Sequence, residues 1–390
     1  MRALFIVCVI DILGFGILIP LVPYMADRFG APPELITPIL GAYSLCQLVA
    51  APFWGRLSDR YGRRPILMSS LAGACVSYAI LGLADNLWWL LVSRVLAGFM
   101  AGNLAAAFAY ASDISAPENR ARALGTVGAA IGVGFMLGPA IGGILAGNDE
   151  QTANFVLPAI VSAGLSVLAI SLVYFVLPES HTGEHRTQHR ERGESHPIRL
   201  LKERPTLRLI VSGAFLVTCS QAILESIFAI WAMNRFGFGP RTVGLVLFCL
   251  ALIPVAMQAG MVRVLAPRLG EVRLAVIAIL AYVFGLLLVA WSDHLPLALA
   301  GLAFCGVGSG LFNPSASALA SKQATARDRG AVMGTYQSGL SLARSVIPFA
   351  SGALYAGLGP GAPFLAGACL TLPAAWLIWN SQRAARTIAS

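Results

Sequence analysis

The sequence predicts an all-α polytopic membrane protein whose twelve helices cross the bilayer as two similar six-helix bundles. Three observations carry this. Apolar residues make up 57% of the 390 and charged residues only 12%, against about 25% charged in an ordinary soluble domain. So little charge cannot cover a water-facing surface, which excludes a soluble enzyme, and so much apolar surface excludes disorder. Next, the apolar residues gather in runs of about 20, the length a helix needs to cross hydrocarbon. Finally, the cations crowd into alternate loops, as topology demands.

In chain order the runs lie near 3–26, 35–54, 66–84, 88–111, 123–146 and 156–177, then near 207–234, 242–262, 274–291, 296–320, 331–356 and 363–380. None alternates as the roughly ten-residue strands of a membrane barrel do, and Gly and Pro recur within them, as in membrane helices generally. With a cytoplasmic N-terminus, 22 of the 27 Lys and Arg fall on the cytoplasmic side. Only Arg28, Arg235 and Arg241 fall on the other, while Arg94 and Arg344 lie inside spans. That bias puts both termini in the cytoplasm and explains the net charge of +9 without a nucleic-acid partner. The first run lacks a small-residue cleavage site and leads directly to a second span, so it reads as a retained helix rather than a signal peptide. All seven Cys fall inside spans, where small buried hydrophobes are expected. No disulfide framework or thiol–metal spacing is present.

The long polar stretch 178–206 divides the chain into an N-terminal bundle (1–177), a cytoplasmic linker and a C-terminal bundle (207–390). His181, His185 and His189 fall at a helical i, i+4, i+8 spacing that can hold a metal, but a solvated mixed-charge linker is the simpler reading. The halves repeat. LSDRYGRR (57–64) aligns with LAPRLGEV (265–272), NRARALGT (119–126) with DRGAVMGT (328–335), and ADRFG (26–30) with MNRFG (233–237). The offsets are 208, 209 and 207. Near-constant offsets across three loops indicate duplicated bundles, parallel because each contains an even number of spans.

The loop after span 2 reads GRLSDRYGRRP (55–65). Gly55 and Gly62 permit close helix approach and a tight turn, and Asp59 offers a carboxylate to a helix N-terminus, where the dipole favours anions. At every defining position the loop resembles that of the major facilitator superfamily. The resemblance implies two parallel six-helix bundles with a substrate site between them near the midplane. It also implies a conformational latch built from Gly55, Asp59, Arg60, Gly62, Arg63 and Arg64. In this latch Asp59 faces the start of span 11, Arg63 pairs with Asp113 at the end of span 4, and switching breaks both contacts. The second copy carries Pro267 where the first has Asp59 and reads as an anchor loop only.

Span 5 carries GFMLGPAIGG (134–143), which resembles the antiporter motif of proton-coupled drug exporters in this superfamily. Pro139 bends the helix, and Gly134, Gly138, Gly142 and Gly143 let it pack against a helix of the other half. Span 1 carries DILGFGILIPLVP (11–23), where the similarity narrows to the drug:proton antiporters related to the tetracycline exporters. There are departures. Ser77 and Tyr282 stand where those exporters have span-3 and span-9 acids, and no His lies near Ala256–Gln258. The departures argue against tetracycline itself, not against drug export.

A charge at a helix centre costs about 2.5–3.5 kcal/mol on insertion scales, so Asp11, Arg94, Glu225 and Arg344 are functional candidates. Asp11 lies roughly 12 Å into span 1. A proton carrier needs its burial and its distance from a cation to change between conformations. Glu225 and Arg344 fall at depths differing by roughly 5 Å, which predicts an ion pair in the second half. Arg94 resembles the span-4 Arg credited with proton handling in the antiporters. The remaining cavity candidates, polar or aromatic, are Tyr43, Gln47, Asn103, Phe108, Gln221, Phe228, Trp231, Gln258, Phe312, Asn313, Tyr336 and Gln337. An apolar-aromatic cavity with few polar groups suits amphiphilic compounds. No cofactor or metal is called for, and the loop around Asp59 lacks the Lys-Ser/Thr ending of a phosphate loop.

These features predict a secondary transporter of a bacterial inner membrane, not an enzyme, exporting small amphiphilic drugs or metabolites in exchange for protons and needing no partner beyond lipid, even as a monomer. The alternatives are a proton-coupled importer of a small organic anion or nutrient, and a non-transporting receptor or scaffold. Orientation is checked by reporter fusions. Green fluorescent protein at the C-terminus should fluoresce and alkaline phosphatase fused after Asp149 should be active, with the opposite pattern at Glu179.

Overall fold

The structure is a computed structural model describing residues 1–116, 119–149, 152–180, 197–325 and 328–389; His181, His185 and His189 lie outside the described residues. The described residues form helices and no strand. In order these are α1 (Arg2–Leu18), α2 (Leu21–Arg28), α3 (Pro33–Tyr61), α4 (Arg63–Gly82), α5 (Leu87–Met100), α6 (Asn103–Asp113), α7 (Arg120–Ala146) and α8 (Val156–Val176). Then follow α9 (Pro197–Glu203), α10 (Pro205–Phe236), α11 (Pro240–Ala256), a π-helical turn (Met257–Met261), α12 (Val262–Leu269), α13 (Glu271–Ala290), α14 (Leu295–Lys322), α15 (Arg329–Val346), α16 (Pro348–Leu358) and α17 (Ala362–Ala389).

Among the described residues, eleven stretches are long and apolar enough to cross a membrane, with α1–α2, α5–α6 and α11–α12 each counting once. The twelfth predicted run, 331–356, is divided between α15 and α16. Pro348 offers no N–H to the ladder, and Gln337, Ser338, Ser341, Arg344 and Ser345 make α15 polar. The other internal breaks have local causes too. Pro20 stops α1, and the Ile19 N–H turns back to the Gly16 carbonyl at 3.3 Å. Gly62 separates α3 from α4 at φ +100, a conformation open to glycine and costly for other residues.

Two compact units emerge: Met1–Gly193 with Ala232–Phe248, and Glu194–Trp231 with Cys249–Ser390. In the first, α1, α4, α6, α7 and α8 enclose a core that includes Leu4, Val7, Leu71, Val127 and Val173. The α1–α7 crossing is the tightest in that core: a side chain begun at Gly138 would start 2.6 Å from the Gly16 Cα. In hydrocarbon, where helices gain little from excluding water, such backbone contact supplies the packing energy. In the second unit α13 packs on α14 the same way, Gly285 against the Gly301 carbonyl, around buried Tyr282, Phe312 and Phe364.

Gly138→Ala should lower stability by about 1–3 kcal/mol, the usual cost of overpacking, whereas Gly128→Ala, at a position with open space around it, should not. Thermal unfolding of the detergent-solubilised variants, followed by tryptophan fluorescence, checks this.

Candidate functional site

Three polar constellations stand out against the apolar background. The first lies at the α3–α4 turn. Arg63 is 4% exposed. Its Nη1 donates to Asp59 Oδ1 at 2.6 Å and Ser58 Oγ at 3.1 Å, and its Nε donates to Asp113 Oδ2 at 3.0 Å. Glu179, just past the end of α8, accepts the backbone N–H groups of Arg63 at 2.9 Å and Arg64 at 3.1 Å. Its carboxylate thus satisfies two orphan donors at the N-terminus of α4 and meets the positive end of the helix dipole. Gly62 is the residue that makes room: a Cβ there would sit 2.6 Å from Glu179 Oε2. Beside Arg63 opens a cavity of about 250 Å³ lined by Gly55, Ser58, Asp59, Ala105, Ala109, Ser112 and Asp113. Arg64 reaches the Tyr174 carbonyl and ring, and Arg60 lies over Tyr61 at 5.3 Å.

The second constellation is inside the first unit, where α5 gives way to α6. The break exposes backbone groups that side chains repair. Trp54 Nε1 donates to the Phe99 carbonyl at 2.5 Å, and Ser70 Oγ donates to the Met100 carbonyl while accepting the Asn103 N–H at 3.0 Å. Asn103 is thereby aimed at Asp11, and its amide donates to Asp11 Oδ2. Asp11 is 6% exposed. A cavity of about 20 Å³ lies against it, bounded by Phe15, Tyr43, Tyr78 and Asn103 among others, enough for roughly one water. The Phe15 and Tyr43 rings are 4.6 Å apart. Tyr43 and Tyr78 lie within electrostatic range of both Asp11 and Arg94. Arg94 is 3% exposed, forms no ion pair, and leaves Nε and Nη2 without a hydrogen bond. Buried donors without partners are rare and need an explanation.

The third lies where α7 ends and α11 begins, within the first unit. The Arg241 N–H donates to the Gly147 carbonyl at 3.0 Å, the Thr242 hydroxyl to Asn148 Oδ1 at 2.8 Å, and the Tyr24 hydroxyl to the Phe238 carbonyl at 2.5 Å.

This geometry can be set beside known proteins. The profile of the Major Facilitator Superfamily matches residues 4–264 and 210–390. The chain belongs to the major facilitator superfamily. Among similar proteins are the class G tetracycline resistance protein of Vibrio anguillarum, 32% identical with 93% of each chain covered, and the class H protein of Pasteurella multocida, 29% identical with 85% of this chain and 83% of that one covered. A solved structure of a bacterial homologue of the human lysosomal transporter Spinster superposes with a TM-score of 0.80 over 98% of this chain and 96% of that one. At 16% identity it speaks for the fold alone. The chain is therefore a multi-pass membrane transporter.

In this facilitator the span-5 motif is placed differently from expectation. Gly134, Gly138 and Gly142 pack on Ile12, Gly16 and Ile17 of α1, in the same bundle. Only Gly143 meets a second-half helix, the start of α11 at Pro240–Arg241, with the Pro139 carbonyl against Gly244 one turn on. Gly16 explains the choice, since a glycine on each helix lets the two backbones touch.

The Glu225–Arg344 ion pair does not form. Both side chains are exposed and neither is within ion-pair distance of an opposite charge among the described residues. Counting residues along two helices compares their heights but not the directions in which the side chains point. Of the cavity candidates, Tyr43 and Asn103 line the small cavity beside Asp11, and Gln47 is half-buried. Gln221, Phe228, Trp231, Phe312 and Tyr336 are buried, with Trp231 edge-on to Phe364 at 5.4 Å. Phe108, Gln258, Asn313 and Gln337 are exposed, Gln258 within the π turn. Sequence reasoning passed over Glu179, Ser70 and Tyr78. An acid directly after the last span of the first half, level with a cationic turn, was the available signal for Glu179.

The linker is also tied to the second unit. Arg204 donates to the Gln323 carbonyl at 2.8 Å and to Asp328, which also accepts the Thr325 N–H at 2.7 Å. The bonded Arg204 guanidinium, helped by Thr325, pulls the Asp328 carboxyl down to about 2 from an ordinary 3.8. A folded value below the unfolded one stabilises the tether fully above the unfolded value and loses that contribution as pH falls through the folded one. Spin labels at Leu201 and Gln323 in a cysteine-free background should give one narrow distance from pH 7 to 4 that broadens toward pH 2, and Asp328→Asn should broaden it at pH 7.

Proposed function

We propose that this transporter exports small amphiphilic compounds from a bacterial cell across the inner membrane in exchange for protons, with both termini cytoplasmic and the monomer sufficient. The observation that carries the reading is the Asp11 cluster: a carboxylate buried in the apolar bundle, held by a single Asn103 amide, beside a water-sized cavity lined by Tyr43 and Tyr78. A proton reaching Asp11 removes its charge and changes what Asn103 has to bind. A bundle that gains or loses a buried charge has reason to repack. The tetracycline resistance proteins among its relatives support export, while Ser77 and Tyr282 point to a substrate other than tetracycline. One proton descending 100 mV supplies about 2.3 kcal/mol, enough for roughly a fifty-fold gradient.

The Arg63–Asp59–Asp113 network supports the latch reading. Asp59 is 63% exposed at its side chain and, among the described residues, is held by Arg63, so it can be exchanged between partners, whereas Arg63 and Asp113 are held inside the bundle.

A dye or drug identified by growth protection should release protons on binding to detergent-solubilised protein. Asp11→Asn should abolish that release and reduce pH-gradient-driven uptake into everted vesicles by at least about tenfold. Proton release undiminished in the variant would overturn the assignment.

A further inference from the structure

Arg344 is the in-span cation that proton coupling does not use. It sits in the last turn of α15, inside the twelfth apolar run, with its side chain exposed and no acid within ion-pair distance among the described residues. The negative end of the α15 dipole favours a cation there. That accounts for the tolerance of Arg344 but not for its company. Gln337 and Ser341 lie two turns and one turn earlier on the same helix face, also exposed, and the three residues extend over roughly 10 Å of the axis. Charged groups within spans face protein or a water-filled path rather than lipid. This stripe is open rather than packed, so it borders water.

The fold does not require these side chains. By the offset of 209 that aligns NRARALGT with DRGAVMGT, their counterparts on α7 are Gly128, Gly132 and Phe135. Gly128 and Gly132 have open space around them and Phe135 is exposed. Both copies thus leave the same helix face uncovered, and only the second makes it polar. The polar groups are of one kind. Arg344 brings a fixed positive charge and five N–H donors, Gln337 an amide and Ser341 a hydroxyl, and no carboxylate lies on the stripe. Beside it, one turn apart, Leu342 and Val346 are exposed and apolar. A guanidinium among neutral donors is complementary to a planar anion, which it grips through two parallel N–H bonds. An apolar strip alongside suits a hydrocarbon body.

We infer that the α15 stripe Gln337–Ser341–Arg344 recognises the anionic head group of an amphiphilic cargo, a carboxylate or sulfonate, with Leu342 and Val346 against its hydrocarbon part. The inference rests on the export reading and names its substrate class. It divides the labour between two charges: Asp11 holds the proton and Arg344 holds the head group of the cargo. Export of an anion from a cell with a negative interior is driven by the membrane potential as well as by the entering proton.

The test uses three probes with one aromatic body and different head groups: naphthalene-2-carboxylate, naphthalene-2-carboxamide and 2-naphthylmethylammonium. They are titrated calorimetrically, at fixed pH, into the full-length protein in nanodiscs of zwitterionic lipid, with the heat of empty discs subtracted. Wild-type protein should bind the carboxylate at least about tenfold more tightly than the amide or the ammonium, a difference of about 1.4 kcal/mol. Arg344→Gln should remove that preference, and Arg344→Lys should keep part of it. Gln337→Glu, at an exposed position whose counterpart is a glycine, should remove most of it while the arginine stays in place. Glu225→Gln and Asp11→Asn should leave the carboxylate preferred. Melting temperatures within a few degrees of wild type show that the variants fold. Absence of carboxylate binding by wild-type protein, an amide bound as tightly as the carboxylate, or a preference that survives both Arg344→Gln and Gln337→Glu would each overturn the inference. Failure of the export reading looks different: an Arg344-dependent carboxylate preference without substrate-induced proton release would remove proton coupling and leave the recognition site standing.

Discussion

Inside a bilayer no water is available to pair a freed backbone group, so each interruption of a helix has to be repaired by protein atoms. This chain's most distinctive chemistry grows out of one such repair. The α5–α6 break frees the carbonyls of Phe99 and Met100 and the N–H of Asn103, and Trp54 and Ser70 take them up. Once its main chain is held by Ser70, the Asn103 side chain is free to reach across to α1 and hold Asp11. An unbroken helix would have carried residue 103 past at another angle. The polar cluster is thus a consequence of backbone accounting as much as of side-chain choice.

The two buried arginines of the first unit show what the surroundings make of one side chain. Arg63 is saturated: two carboxylates and a hydroxyl engage its guanidinium, and Glu179 holds its main chain. Breaking one such contact leaves a buried charge uncompensated, which is costly. Arg94 is as deeply buried yet keeps two guanidinium nitrogens, Nε and Nη2, unbonded. Guanidinium groups cannot shed their charge in a protein, so Arg94 remains a standing demand for an acceptor.

Much of this was legible in the sequence, and the illegible part has a common cause. Run length and hydropathy located the spans, because the bilayer imposes both. Gly62 was legible as a turn, and Arg63 with Asp113 as a pair, because they follow from local conformation and from a resemblance to known loops. What failed was azimuth. Heights along α10 and α15 matched, but Glu225 and Arg344 do not meet, and Gly134, Gly138 and Gly142 turned toward α1 rather than toward the other half. The breaks at Ala101–Gly102 and Ile347–Pro348 lie inside runs that hydropathy reads as continuous. A carboxylate such as Glu179, acting on a turn more than a hundred residues away, leaves no trace in periodicity.

The π turn in the α11–α12 stretch bears on how the two repeats match. Pro33–Tyr61 has 29 residues and its counterpart in the second repeat, Pro240–Leu269, has 30. Both are flanked by matching left-handed glycines, Gly30 and Gly237 at one end and Gly62 and Gly270 at the other. The copies are 207 positions apart at the first pair and 208 at the second, so one residue separates them within this stretch. The first copy is α-helical throughout, and the second departs from it only at Met257–Met261. A turn closed by i→i+5 bonds takes up one surplus residue. The one-residue difference between the copies is taken up as a bulge, while the glycine turns at both ends stay in phase. An alignment of the two halves should therefore open its gap at the bulge, and a relative lacking that residue should run α-helical through the same stretch.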